Sequence, residues 1–227
     1  MEIIRKANQM IQLYSLATPN GQKIGVALEE MEIPYQAHTI NILEGEQFAD
    51  EFIKINPNSK IPAIVDPNGP DGKPLSIMES GAILIYLAEK SGKFLPESPR
   101  NHSETLQWLF FQVGGIGPMF GQFGHFYKFA KEECQHSYPV ERYTKETIRL
   151  LNVLEARLAS REYLVNDEYT IADIATFPWV MCLKDVYEAE DLLQLSQFTN
   201  VNHWVKRCSD RPATRIGLKV CPFPNDE

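Results

Sequence analysis

The first ninety positions carry short apolar runs cut by Pro and Gly, a pattern of brief strands and helices rather than long ones. Met10 to Ser15 reads as a strand. Pro19 opens a helical pattern with Ile24, Ala27, Leu28 and Met31 on one face, and Pro34 closes it. Tyr35 to Ile40 reads as a second strand, so the tight β-α-β order predicts a parallel pair. Phe48, Phe52 and Ile55 stand at helical spacing ahead of Asn56-Pro57. Ile61 to Asp66 and Leu75 to Met78 are apolar strands on either side of a Pro- and Gly-dense turn, which predicts an antiparallel hairpin. Ser80 to Lys90 follows as a helix that ends near Gly92. The order βαβαββα is that of a thioredoxin-like layer.

Beyond Gly92 the period changes. Residues 93–101, with Pro96 and Pro99, read as a linker. From 102 to 220 strand-like alternation is absent and an all-α domain is expected. Its helices are expected over His102–Val113, Phe120–Glu133, Glu141–Ala159, a segment opened by Thr170-Ile171-Ala172-Asp173, and a last one over Asn200–Ser209. Gly114-Gly115-Ile116-Gly117-Pro118 must interrupt or kink the helical run. Thr170 and Asp173 have the spacing of a capping box with Asp in place of Glu, a structural role.

Composition narrows the chemistry. The 227 residues carry a net charge of -8, which argues against binding the phosphate backbone of nucleic acid. The longest apolar or small stretch, Gly81 to Ala88, falls far short of a membrane span. Four widely spaced cysteines show no CxxC and no zinc-ligand spacing, so no metal is expected and free thiols in the cytoplasm are the plain reading.

Two segments point to a binding site. Pro62 cannot donate a ladder bond, which is odd inside a sheet. A cis Ile61–Pro62 bond accounts for it, and such a turn offers the Ile61 backbone to an extended ligand. The alternative puts Pro62 on an edge strand. Further on, Ser80 opens a helix, whose first N–H groups favour an anion, while Glu79 beside it suits an ammonium. The pair fits the zwitterionic end of an amino acid, or else Ser80 is no more than a helix cap.

Together these segments resemble the cytosolic glutathione transferases. The motifs are N-P-x-x-K-I-P from Asn56, E-S-x-A-I from Glu79 and T-x-A-D from Thr170. Three further stretches are similar to the bacterial nu-class glutathione-dependent disulfide-bond oxidoreductases: Leu13-Tyr14-x-x-x-Thr18-Pro19-Asn20-Gly21-x-Lys23, Gly45-x-Gln47-Phe48, and Leu106 to Met119. The resemblance implies a glutathione transferase fold and a homodimer. It implies that Thr18 and Asn20 contact the glutathione sulfur and that Glu79 and Ser80 bind the γ-glutamyl end. Ile61 would hold the cysteinyl backbone, and Gln47 and Lys60 would reach the glycyl carboxylate, unless Lys60 is a solvated charge. Arg142 would help hold a second glutathione or the disulfide form, or else stand as an exposed helix arginine.

The implied thiol chemistry is energetically reasonable. A free thiol with a pKa of about 8.5 is only about 3% ionised at pH 7. Lowering it by about 2 units takes about 2.7 kcal/mol. One hydrogen bond to the thiolate supplies about 1.5–3 kcal/mol, and a helix N-terminus adds about 0.3–1 kcal/mol. The Thr18 hydroxyl, the Asn20 amide and the helix at Pro19 thus suffice without a protein cysteine, and the T-P-N segment contains none. Tyr14 and Ser15 are competing hydroxyls, read as a packed aromatic and a strand-end residue. His125, within an aromatic cluster, is read as packing. Glutathione is the expected co-substrate, and small disulfides the expected substrates. Conjugation of glutathione to electrophiles, or glutathione binding without catalysis, are the rival functions.

Overall fold

The computed structural model describes residues 10–224, which divide into two compact units. The first runs to Lys93 and takes in the chain again from Arg211, and the second spans Phe94–Asp210.

The first unit is a four-stranded mixed sheet in the order β2-β1-β3-β4, with β1 Ile11–Ser15, β2 Tyr35–Thr39, β3 Ala63–Asp66 and β4 Leu75–Met78. β1 pairs parallel with β2 and antiparallel with β3, and β3 pairs antiparallel with β4. Leu13, at the centre, faces Ala37 on one side and Ile64 on the other. Because β3 is paired on both sides, the edge-strand reading of Pro62 falls away. The Ile61–Pro62 bond is cis.

Helices α1 Pro19–Met31, α2 Asp50–Ile55 and α3 Ser80–Ser91 complete the layer. α1 starts with Pro at its first turn and stops where Glu32 turns left-handed at φ 57°. Gly21 lets this helix leave the strand closely: a Cβ there would lie 1.8 Å from the Leu16 carbonyl oxygen. Phe48 does not join the apolar face its spacing suggested. It lies in a separate 3-10 turn, Glu46–Phe48, and is 63% exposed.

The C-terminal segment corrects the expected boundaries. The all-α domain does not run to residue 220, and Asn200–Ser209 is not the last helix. Pro212 starts a further helix, Pro212–Gly217, which packs on α1 in the first unit. The two helices touch backbone to backbone, since a Cβ on Gly25 would lie 2.3 Å from the Gly217 carbonyl oxygen. The contact is locked by the buried Glu30, whose carboxylate accepts both prongs of the Arg211 guanidinium at 2.8 and 2.6 Å and the Thr214 hydroxyl at 2.9 Å.

The second unit is helical: α4 Pro99–Phe111, α5 Gly117–Gly124, α6 Ser137–Leu158, α7 Ile171–Asp185, α8 Glu190–Leu193 and α9 Thr199–Ser209, which makes Pro212–Gly217 α10. The expected linker is shorter than 93–101, because Ser98 caps α4 through the Asn101 N–H and Pro99 is its first residue. The glycine run interrupts the α-helix, as expected, though without a break in the helical backbone. It passes through a π-helical turn, Gln112–Ile116, with helical backbone into α5, and a second such turn, His125–Phe129, follows. Phe120, Phe123, Leu154, Phe177 and Trp204 fill the core.

At its centre the N-terminus of α7 is sealed. Asp173 Oδ1 accepts the Leu164 N–H and the Trp204 indole N–H, both at 2.9 Å. Its Oδ2 accepts the Thr170 N–H at 3.0 Å and the Thr170 hydroxyl at 3.1 Å. Burial pushes this carboxyl above its ordinary range, and the four donors pull it back. Among the described residues no helix is long and apolar enough to cross a membrane.

Candidate functional site

The N-terminal ends of α1 and α3 and the loop before β3 border a cleft of 170 Å³ in the first unit. Asn20, Asn56, Asn58, Lys60, Ile61, Pro62, Glu79 and Ser80 line it. Pockets for whole drug-sized ligands span about 300–1,000 Å³, so this volume suits one amino-acid end of a peptide.

Local chemistry shapes each wall. The buried Asn56 donates from Nδ2 to the Lys60 carbonyl at 2.6 Å and accepts the Asn58 N–H at 2.9 Å, which ties the loop into a fixed turn. Ser59 at its tip is left-handed, φ 53°. On the facing wall Glu79 is the N-cap of α3, with φ 68°, ψ 114° and no side-chain capping bond. Such a backbone costs a non-glycine residue about 1–3 kcal/mol and is characteristic of functional sites. Ser80 is therefore the first helical residue and not the cap that the sequence offered as an alternative. The Glu79 carboxylate is exposed and accepts a long bond from Asn58 Nδ2 at 3.5 Å.

Under this wall lies a residue that the sequence showed only as part of a motif. Lys23 is 1% exposed, and its Nζ donates to the Ser80 hydroxyl oxygen at 3.1 Å. Burial pulls its ammonium down to about 7, against the opposing effect of the Glu79 carboxylate. Its position was legible: Lys23 stands four residues before Ala27, on the face α1 buries. Its charge concealed it. Asn56 was likewise quoted without a role, although Asn before Pro is a turn signal.

Other expected site residues stand outside the lining of the cleft. Thr18 is the N-cap of α1. Its Oγ1 accepts the Gly21 N–H at 3.4 Å and lies 3.5 Å from the Leu16 carbonyl oxygen. The hydroxyl proton is thus weakly engaged at most and free to be donated more strongly elsewhere. Gln47 turns back on its own loop, donating from Nε2 to the Ile42 carbonyl at 3.4 Å, while its Oε1 is buried without a partner. Arg142, in the second unit, is half-exposed on α6, 3.9 Å from a Glu146 carboxylate that Arg149 already grips at 2.7 and 2.9 Å.

Tyr14 is a packed aromatic, stacked on His38 with ring centroids 4.7 Å apart. Ser15 is buried at the end of β1. His125 is exposed and meets Phe126 edge-on. Among the described residues all four cysteines are free thiols, and none lines the cleft. Burial pushes the Cys182 thiol up to about 12, which leaves it inert as a nucleophile. No group of three His, Cys, Asp or Glu among the described residues is placed to hold a metal ion.

Comparison with known proteins agrees with this geometry. Residues 17–90 match the glutathione S-transferase N-terminal domain and residues 140–212 the glutathione S-transferase C-terminal domain. Disulfide-bond oxidoreductase YfcG of Escherichia coli is 48% identical, over 92% of this chain and 94% of its own. A glutathione transferase family member from Pseudomonas fluorescens, solved with two glutathione bound, is 50% identical and superposes with a TM-score of 0.92 over 94% of each chain. A glutathione transferase from Pseudomonas putida, solved with one glutathione disulfide bound per subunit, is 50% identical with a TM-score of 0.91, over 93% of this chain and 91% of that one. Cleft, sheet order, helical second unit and sequence identity agree, and the chain belongs to the glutathione S-transferase family.

Proposed function

We propose that this protein is a nu-class glutathione-dependent disulfide oxidoreductase whose own residues position and ionise glutathione without forming a covalent intermediate. The observation that carries the reading is the cleft, where an exposed carboxylate, an open helix N-terminus and the Asn20 amide border one small space. Glu79 binds the ammonium and Ser80 the carboxylate of the γ-glutamyl end. Ile61 pairs with the cysteinyl backbone, and Lys60 takes the glycyl carboxylate, with Gln47 swinging from its loop to join it. Asn20 and the outward proton of Thr18 stabilise the thiolate at the start of α1. Arg142 binds the second glutathione.

The electron balance is simple. The bound thiolate attacks one sulfur of the substrate disulfide, the S–S bond breaks, and the departing thiolate takes up a proton. A second glutathione thiolate attacks the mixed disulfide, releases the second thiol and leaves as glutathione disulfide. Two glutathiones are oxidised and one disulfide is reduced. Both reacting sulfurs belong to substrates, which suits a chain whose cysteines stay away from the cleft. The reaction draws on a reduced glutathione pool, which fits a cytoplasmic homodimer.

The test is turnover of a small symmetric disulfide with glutathione, run beside an aryl halide, with calorimetric titration of reduced glutathione and of glutathione disulfide. Disulfide turnover with tight disulfide binding supports the reading. Turnover of the aryl halide alone replaces it with conjugation. Binding without either turnover replaces it with a sensing or sequestering role.

A further inference from the structure

The C-terminal segment that covers α1 also reaches the turn before it. Contacts run along α1 toward its start: Glu30 meets Arg211 and Thr214, Gly25 meets Gly217, and Gln22 donates from Nε2 to the Leu218 carbonyl at 3.4 Å. The series ends at Ala17, which stands between β1 and the Thr18 cap. Its N–H donates to the Cys221 carbonyl at 2.8 Å. Cys221 is buried, and its φ is 52°, a left-handed backbone immediately ahead of Pro222. A proline ring pushes the residue before it toward extended backbone, so this conformation is disfavoured twice over. The surroundings hold it there. The thiol lies against the Thr39 side chain and the backbone of Ser15 and His38, across the paired ends of β1 and β2.

The Ala17 N–H and the Leu16 carbonyl belong to one planar peptide unit and point to opposite sides of it. Whatever holds the N–H therefore aims the carbonyl. The Leu16 oxygen accepts the Thr18 N–H at 2.7 Å and lies 3.5 Å from Thr18 Oγ1. It is also the atom that a Cβ on Gly21 would strike, so the unit is wedged between the start of α1 and Cys221. At 3.5 Å the oxygen holds the hydroxyl proton weakly. A swing that brought it about 0.7 Å closer would make a full hydroxyl–carbonyl bond and commit the proton to the backbone.

We infer that Cys221 is a positioning residue for the sulfur contact: its carbonyl fixes the Leu16–Ala17 peptide unit and so keeps the Thr18 proton free for the glutathione thiolate. The inference rests on the reading of Thr18 given above. It assigns the C-terminal tail a part in thiol ionisation that its packing on α1 does not require. Loss of the clamp raises the thiol pKa of bound glutathione by about one unit and leaves the γ-glutamyl end, held by α3 and the loop before β3, in place. The thiolate fraction then falls about tenfold well below that pKa and hardly at all above it. A turnover loss that disappears at high pH is thus the signature of a misplaced proton donor. A loosened fold lowers turnover by the same factor at every pH.

The test is the pH profile of disulfide turnover at saturating glutathione, where kcat reports groups in the bound complex. Proline at 221 fixes φ near −65° and swings the carbonyl away, whereas serine keeps both the carbonyl and a small polar side chain. Cys221→Pro should lower kcat about tenfold at pH 5.5 and less than about twofold at pH 9, with the KM for glutathione held within about twofold. Cys221→Ser should follow the wild type throughout. Cys221→Val, whose branched side chain also rejects a left-handed φ, is a milder second variant and should show the same signature at smaller size. Hydrogen exchange on the wild type, which depends on no variant folding, should find the Ala17 amide protected. A loss in Cys221→Pro or Cys221→Val of equal size at both pH values overturns the inference and leaves disulfide turnover intact. So does no loss in either variant, or an Ala17 amide that exchanges like a free chain. A wild type that turns over no disulfide overturns the glutathione reading and the inference with it.

Discussion

Two helix N-termini in this protein use similar residues to opposite ends. At the start of α7, Thr170 and Asp173 satisfy each other and their neighbours with four hydrogen bonds in the core of the second unit. At the start of α3, Glu79 caps with its backbone alone, leaves its carboxylate exposed, and adopts a left-handed φ of 68°. The first arrangement spends its polar groups on the fold. The second leaves its carboxylate exposed at the edge of a cleft, with a long bond from Asn58, and so keeps it available to a ligand. A serine or threonine followed by an acid does not separate the two cases. Burial and mutual satisfaction do.

Removing the sealed end should have the largest effect. Asp173→Ala strands a buried indole N–H and two backbone N–H groups and should cost about 3–5 kcal/mol, read from the urea midpoint. Glutathione affinity per folded molecule should not change. A loss of affinity with little loss of stability would erase the contrast between the two helix starts.

Thr18 lies between the two types, because it caps α1 and also offers its proton. Thr18→Ala should lower disulfide turnover about a hundredfold, about 2.7 kcal/mol of transition-state stabilisation. It should also cost about 1 kcal/mol of stability for the lost cap. Thr18→Ser should keep both, and Tyr14→Phe should change turnover by less than about threefold. Equal losses in Thr18→Ala and Tyr14→Phe would remove Thr18 from the sulfur.

The open end should show the reverse balance. Glu79→Gln should weaken glutathione binding by about tenfold while moving stability by no more than about 0.5 kcal/mol. Calorimetry and a melting curve on the same sample decide it.

The smallest effect concerns acid stability. Asp66 is a second buried aspartate, at the end of β3 in the first unit. Burial alone would raise its carboxyl, but bonds from Lys90, Tyr86 and the Asn68 N–H together hold it below the ordinary range. A depressed folded-state pKa means that its stabilisation is present above the usual carboxylate range and is lost as pH falls through the folded value. Asp66→Asn should therefore flatten the acid limb of the stability curve. An unchanged limb would assign acid sensitivity to other carboxylates.

What could be read from the sequence follows from range. β1, α1 and the β3–β4 hairpin were legible because period and punctuation are local, and so was the Thr170-x-x-Asp173 box. Ser98-Pro99 was misread as linker, and the helix that Pro212 starts was not foreseen. Pro at a first helical turn starts a helix as readily as Pro in a loop ends one, and the contacts that decide the matter at Arg211 lie 181 residues away. In the site, residues with a motif were found. Lys23, although quoted in one, was given no role, since a lysine on an apolar face reads as a solvated charge until a partner such as Ser80 is seen.

The grip of Arg211 and Thr214 on Glu30 also sets an order of events on the ribosome. Glu30 and Thr214 are 184 residues apart. At about 5–20 residues per second, roughly 10–40 s of translation separates them. Throughout that interval α1 lacks the helix that covers Gly25, and Glu30 has no counter-charge from Arg211. The layer made first is therefore finished last, and the first unit is complete only after the whole of the second unit has been made.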